Sequence, residues 1–113
     1  MANKVIPTPF FESKFKRLSK KFSSLAREIE NLEDELIKKP DSGISLGANL
    51  YKVRLAAKDK GKGKSGGLRV VTYLIYKTEN STDIYLLTLF DKSEESNISK
   101  TELIRLVRQI FSE

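Results

Sequence analysis

The chain has 113 residues, of which 39% are hydrophobic, and this size and composition are typical of one folded domain spanning residues 1–113. It contains neither cysteine nor histidine, which excludes disulfides, histidine acid–base catalysis and an ordinary zinc site, so no metal or other cofactor is expected. The net charge of +6 indicates an anionic partner such as nucleic acid.

The chain shows no sign of membrane insertion or secretion. No apolar run approaches the roughly 18 to 20 residues needed to cross a bilayer. The first residues, MANKVIPTPFF, lack a charged leader followed by a long apolar stretch. A cytoplasmic location without membrane contact is therefore expected.

The first predicted elements are an edge strand and a helical region. The segment KVIPTPFF favours an edge strand, because Pro7 and Pro9 cannot donate the hydrogen bonds that a central strand needs. Apolar residues then recur at spacings of three and four: Phe15, Leu18, Phe22, Leu25, Ile29, Leu32 and Leu36.

This helical pattern is compatible with one long helix or with a hairpin broken near Ser23 and Ser24, whose hydroxyls are suited to cap a second helix. We favour the hairpin, because one helix of about 28 residues would be about 40 Å long, more than a small domain spans. The apolar face is expected to pack against a sheet; a dimeric coiled coil is the alternative, and the chain is expected to be a monomer.

Strands dominate the second half of the chain. Residues 40–50 are predicted to form a turn-rich connection. In the following YKVRLAA, apolar Tyr51, Val53 and Leu55 alternate with Lys52 and Arg54, as in a half-buried strand. Residues 68–76 and 83–92 are apolar on both faces and predict a central hairpin.

A final helix is predicted after Ser99, with Glu102 completing a capping box. Its apolar stripe contains Leu103, Leu106, Val107 and Ile110. The order of elements is strand, helix, helix, three strands, helix. This order predicts an α+β two-layer domain, in which an N-terminal helical hairpin and a C-terminal helix cover one face of a small, mostly antiparallel sheet.

The segment KDKGKGKSGGLR, residues 58–69, concentrates positive charge among glycines. It is not a nucleotide-binding loop, because that motif requires a glycine where Lys58 stands and a helix afterwards. Residues 52–69 carry seven basic groups and one acidic group, a local charge of +6. The loop lysines are candidate RNA-binding residues, with a solubilising hairpin loop as the alternative: Lys58, Lys60, Lys62 and Lys64.

Four strand cations are expected to border one solvent-facing surface of the sheet: Lys52, Arg54, Arg69 and Lys92. Tyr73 and Phe90 are candidate platforms on which unpaired bases stack, an arrangement that suits single-stranded nucleic acid. RNA cleavage through the ribose 2′-hydroxyl needs proton transfer and stabilisation of phosphorane charge. Arginine and lysine can stabilise this charge, and a lysine among other cations can also transfer protons.

These residues resemble the RelE/HigB toxins of bacterial toxin–antitoxin systems. The resemblance covers most of the chain and is carried by YKVRLAAKDKGKGKSGGLRVVTYLIY and DIYLLTLFDKSEESNISKTEL, with a lysine- and glycine-rich loop typical of the HigB-like branch. It implies a ribosome-dependent endoribonuclease that cleaves mRNA on the 70S ribosome. It also implies neutralisation by an antitoxin, often one with a helix-turn-helix domain.

The resemblance implies catalytic roles for Lys52, Arg54, Arg69 and Lys92, with Arg69 as the phosphate-stabilising arginine. Phe90 stands where many relatives have a tyrosine, and no tyrosine lies near Ser99. The general base therefore stays open between Lys52, Lys92 and Glu94. Two alternative functions remain: a ParE-like toxin that inhibits gyrase, and a non-catalytic RNA- or ribosome-binding protein.

Overall fold

The computed structural model describes residues 3–55, 67–92 and 98–111. The described residues form a sheet of five strands: β1 (Lys4–Pro7), β2 (Ile44–Gly47), β3 (Leu50–Leu55), β4 (Leu68–Thr78) and β5 (Ser81–Asp91). They also form three helices: α1 (Pro9–Ser19), α2 (Leu25–Lys38) and α3 (Lys100–Phe111). The predicted α+β class is confirmed. None of the helices in these ranges is long and apolar enough to cross a membrane.

The N-terminal helical hairpin is confirmed. Thr8 caps α1, since its hydroxyl accepts a hydrogen bond from the Phe11 amide at 3.1 Å, and Pro9 occupies the first helical turn, where no amide donor is needed. The helix stops before residues 20–24, and Ser24 takes the N-cap position of α2 without a capping bond from its side chain. The break therefore lies where the sequence predicts it.

The strand order across the sheet is β1, β5, β4, β3, β2. Strand β1 lies at one edge and runs parallel to β5, whereas the other neighbouring pairs are antiparallel. The long hairpin of β4 and β5 supplies the interior of the sheet, because its strands are apolar on both faces. The predicted edge strand, central hairpin and mostly antiparallel pairing are all confirmed.

Strand β2 lies within the segment that the sequence predicts as a turn-rich connection, and that prediction is wrong for residues 44–47. The strand pairs with β3 through a two-residue turn in which Ala48 and Asn49 have positive φ angles of 54° and 64°. These angles suit a type I′ turn, which usually contains asparagine followed by glycine. The Ala-Asn pair lacks that signal, and four residues are too few for a clear alternation.

The two faces of the sheet carry separate apolar cores. Helices α1 and α2 pack on one face against residues such as Val53, Val70 and Ile84. Helix α3 packs on the opposite face, where Leu103 contacts a cluster that includes Leu50 and Val71. The expectation that all helices cover one face is therefore wrong, because alternation along a strand identifies two apolar faces but not which helix covers each.

Side-chain contacts stabilise the start of α3 and connect the helical hairpin to β5. The Ser99 hydroxyl accepts a hydrogen bond from the Glu102 amide at 3.1 Å, and the Glu102 carboxylate accepts one from the Ser99 amide at 3.2 Å, which confirms the predicted capping box. On the other face, the Lys21 ammonium lies 3.5 Å from the buried Asp91 carboxylate. This ion pair links the helical hairpin to the end of β5.

Candidate functional site

Helix α3 leaves one end of its sheet face uncovered, and a pocket of about 400 Å³ opens there. A volume of this size is typical of pockets that bind ligands. We call it the cationic pocket, and its lining residues are Gly43, Ile44, Lys52, Arg54, Arg69, Phe90 and Lys92. The structure thus brings together all four cations that the sequence predicts as site residues.

Strand register explains how the cations converge. Arg54 on β3 is the direct partner of Arg69 on β4, and Arg69 is the partner of Phe90 on β5. These three residues form a row across the sheet, with neighbouring strands about 5 Å apart. Lys52 lies two residues before Arg54 on the same face, and Lys92 lies two residues after Phe90. The two lysines therefore flank the arginine row on opposite sides.

Arg69 is the most enclosed of the four cations. Only 7% of the residue is exposed, so the expectation that its charge faces solvent freely is wrong. Its guanidinium donates a hydrogen bond of 3.4 Å to the Leu68 carbonyl. Burial lowers the pKa of Arg69, and the neighbouring positive charge of Arg54 lowers it further. Both effects disfavour the charged form of Arg69, and an anion bound beside it would favour that form.

The aromatic residues differ from the expectation. Phe90 lines the cationic pocket but is only 2% exposed, so its ring forms part of the floor and offers little surface for stacking. Tyr73 does not reach the pocket. Its ring lies 5.5 Å from the ring of Phe111 and packs under α3, because α3 covers that half of the sheet face. Tyr73 is therefore a packing residue in this fold.

Some predicted site residues lie outside the described residues: Lys58, Lys60, Lys62, Lys64 and Glu94. Lys52 is half-buried, whereas Arg54 and Lys92 are exposed. The Lys92 amide donates a hydrogen bond of 3.2 Å to the Gly67 carbonyl, which fixes the backbone just beyond the end of β5. This bond extends the pairing of β4 with β5 by one residue beyond the pair of Leu68 and Asp91.

Two lining residues were missed by the sequence analysis because they lie at the start of β2 and just before it, in a segment predicted as a connection. Ile44 is 63% exposed, which is unusual for a large apolar side chain, and it borders the cations. Gly43 precedes it with a φ of +99°, and a Cβ added there would lie 2.5 Å from the Lys52 carbonyl oxygen. Glycine is therefore required at residue 43 for β2 to approach β3 so closely. The sequence signal is the isolated glycine before an alternating Ile-Ser-Leu segment.

The arrangement suits a polyanion more than a small neutral ligand. Four cations line one opening, and the other lining groups among the described residues are glycine and the apolar residues Ile44 and Phe90. Phosphate oxygens accept charge-assisted hydrogen bonds from guanidinium groups, often in pairs. The lysines can hold further phosphates or exchange protons with a bound group.

Comparisons with known proteins identify the family and agree with the fold. Residues 4–111 match the protein family described as the RelE toxin of the RelE/RelB toxin–antitoxin system. The fold is also similar to that of a solved structure of the E. coli toxin RelE, a double arginine-to-alanine mutant in the free state, with a TM-score of 0.61. The two chains are 15% identical, and the similarity covers 98% of this chain and 100% of that one. Because the family match spans nearly the whole chain, this protein belongs to the RelE family of toxins from toxin–antitoxin systems.

Proposed function

We propose that this toxin is an endoribonuclease that cleaves mRNA on the ribosome through the ribose 2′-hydroxyl and thereby inhibits translation. The observation that carries the proposal is the convergence of Lys52, Arg54, Arg69 and Lys92 in the cationic pocket. A toxin whose target is RNA needs such a site, because cleavage places extra negative charge on the phosphate in the transition state.

Each part of the reaction has a residue to perform it. The 2′-oxygen attacks the adjacent phosphorus, the bond to the 5′-oxygen breaks, and the products are a 2′,3′-cyclic phosphate and a 5′-hydroxyl. Arg54 and Arg69 lie side by side and bind the non-bridging oxygens, whose negative charge grows during attack. Their fixed positions on neighbouring strands supply this stabilisation without rearrangement during the reaction.

The flanking lysines match the geometry of an in-line displacement. The attacking and leaving oxygens lie on opposite sides of phosphorus, and Lys52 and Lys92 lie on opposite sides of the arginine row. One lysine, in its amine form, accepts the proton of the 2′-hydroxyl, and the other donates a proton to the 5′-oxygen. Placement alone does not distinguish the two roles, so either assignment is compatible with the proposal.

The proposal also includes partners. A cognate antitoxin neutralises the toxin, as expected for a member of this family, and the loop resemblance to the HigB-like branch favours an antitoxin with a helix-turn-helix domain. The isolated toxin is proposed to be a monomer in the cytoplasm. Its substrate is mRNA presented by the 70S ribosome, which holds the RNA in place for a site without histidine.

Induced expression followed by primer extension on a reporter mRNA tests the proposed activity. The wild-type toxin is expected to produce cuts within translated codons, and Lys92→Ala is expected to remove them while folding normally, because Lys92 is exposed. Lys77→Ala, at the far end of β4, is the matched control and should cut like the wild type. Induction of the DNA-damage response without cuts would instead favour gyrase inhibition, and ribosome binding without cuts would favour a non-catalytic role.

A further inference from the structure

A second, smaller pocket of about 130 Å³ lies beside the cationic pocket. The two pockets share Lys52 and Phe90 as lining residues, so they are adjacent. A polymer bound by its phosphate in the cationic pocket would therefore reach the smaller pocket with the neighbouring part of the same nucleotide. We call the smaller one the base pocket.

Most of the base pocket is apolar. Its walls include Leu46 from β2, Val71 from β4, and Ile98 and Leu103 at the start of α3. Val71 and Leu103 are each 1% exposed and form the rigid inner surface. The volume is close to that of an engineered apolar cavity of about 150 Å³ that binds benzene, so the pocket accommodates at least one ring of a nucleobase. Burying a phosphate among these side chains would cost it its hydration, whereas the apolar faces of a base can be buried there at little cost.

Two lysines line this apolar space: Lys52, and Lys100, the first residue of α3. The Lys100 ammonium extends across β2, where it would lie 2.7 Å from a Cβ added to Gly47. Gly47 has a φ of +85°, and its missing side chain leaves room for the ammonium. Lys100 is thus a cation at the site that strand patterning does not reveal.

We propose that the base pocket binds one unpaired nucleobase of the RNA substrate and that Lys100 selects which base it accepts. This inference rests on the proposed ribonuclease function and extends it to substrate choice. The apolar walls contact the ring of the base, and the ammonium groups contact acceptor atoms at its edge. A site combining an apolar slot with a few polar groups in fixed positions is typical of specific small-ligand recognition.

The chemistry of lysine predicts the direction of the preference. An ammonium group only donates hydrogen bonds, so it favours an edge with carbonyl oxygens. Uracil and guanine carry a carbonyl oxygen where cytosine and adenine carry an amino group. A cut codon should therefore have uracil or guanine at the position that enters the base pocket.

The experiment measures cleavage on ribosomes programmed with mRNAs that carry each of the four bases, in turn, at each position of the cut codon. The variants are Lys100→Ala, which removes the donor, and Leu46→Phe, which fills the slot from its rim. Lys77→Ala is the control, since it removes an exposed lysine that lies about 26 Å from Arg69 along β4. Thermal melting of each variant establishes that it is folded.

We expect the wild type to prefer uracil or guanine at one codon position, and both variants to reduce that preference at least tenfold while the control retains it. A uniform loss of cleavage for all four bases in Lys100→Ala would overturn the inference, because it would identify Lys100 as a phosphate contact. Unchanged preference in both variants, or a wild-type preference for adenine or cytosine, would overturn it as well. Absence of any cleavage by the wild type would instead overturn the proposed function itself.

Discussion

Arg54 and Arg69 place two positive charges opposite each other on neighbouring strands. Like charges in this position destabilise an antiparallel pair. Arg69 is also largely withdrawn from water, which costs further stability. This arrangement destabilises the protein when no ligand is bound. It favours the binding of an anion, because both charges attract the anion and the low polarity around Arg69 strengthens that attraction.

The substitution Arg69→Met separates these effects, because it removes the charge and keeps a long apolar side chain. We expect the melting temperature to stay the same or rise, since the repulsion from Arg54 disappears. Cleavage of ribosome-bound mRNA is expected to fall about 10²-fold to 10³-fold, the usual loss when a group that stabilises transition-state charge is removed. A single-turnover cleavage rate within about threefold of the wild-type rate would show that Arg69 does not take part in catalysis.

Strand β2 shapes the cationic pocket although it contributes none of the four cations. Ile44, its first residue, and the preceding Gly43 form one rim, and its pairing with β3 holds Lys52 beside both pockets. The strand depends on glycine at residue 43, where the backbone has a positive φ and passes close to the Lys52 carbonyl. The backbone geometry at Gly43 therefore affects the position of Lys52, a candidate catalytic residue.

Replacing Gly43 by alanine should destabilise the protein by about 1 to 3 kcal/mol, because an L-residue is strained at this φ and the new methyl group meets backbone atoms. Urea unfolding measures the change. Ala48→Gly is the control, since Ala48 already has a positive φ that glycine adopts more readily, and its stability should not fall. Equal losses of stability in both variants would show that the stability of β2 depends on the turn and not on the close approach at Gly43.

Helix α2 carries a cluster of acidic side chains on its outer face. Glu33 is half-buried, and burial raises its pKa, with the charges of Glu30 and Asp34 raising it further. An acid whose pKa is raised in the folded state is destabilising in its charged form. Stability therefore decreases as the pH rises from the pKa of the unfolded chain, about 4.3, through the higher pKa of the folded protein.

The variant Glu33→Gln should remove this pH dependence. At pH 7 we expect it to be more stable than the wild type by about 0.2 to 0.5 kcal/mol, the usual size of a like-charge interaction on a helix. Below about pH 3 the difference should vanish, since the wild-type carboxyl is then protonated in both states. A variant that is less stable than the wild type at pH 7 would show that Glu33 makes a favourable contact in its charged form.

The sequence predicts local features of this fold better than the assembly of its layers. The capping box of Ser99 and Glu102 and the break before Leu25 depend on neighbouring residues, and both are confirmed. The side of the sheet that α3 covers depends on the path of the chain before it, which strand alternation does not encode. Because α3 covers this side, Tyr73 lies beneath the helix and packs in the core there.

The same distinction applies to the site. Alternation along β3 predicts that Lys52 and Arg54 share a face, and the hairpin of β4 and β5 brings Arg69 and Lys92 to it. The burial of Arg69 and the presence of Lys100 were not predictable, because both depend on how β2 and the start of α3 close around the sheet. The cations can thus be identified from sequence, whereas their depth and further neighbours require the fold.

We propose that this RelE-family toxin cleaves RNA by attack of a 2′-hydroxyl held at the cationic pocket. The most direct test of this proposal is cleavage of an mRNA that carries a single 2′-deoxynucleotide immediately before the scissile phosphate, bound to a programmed ribosome. We expect the all-ribose message to be cut and the deoxy-substituted message to stay intact at that position, although both occupy the ribosome equally. Cleavage of both messages at the same rate would contradict it, because the 2′-oxygen would then not be the nucleophile.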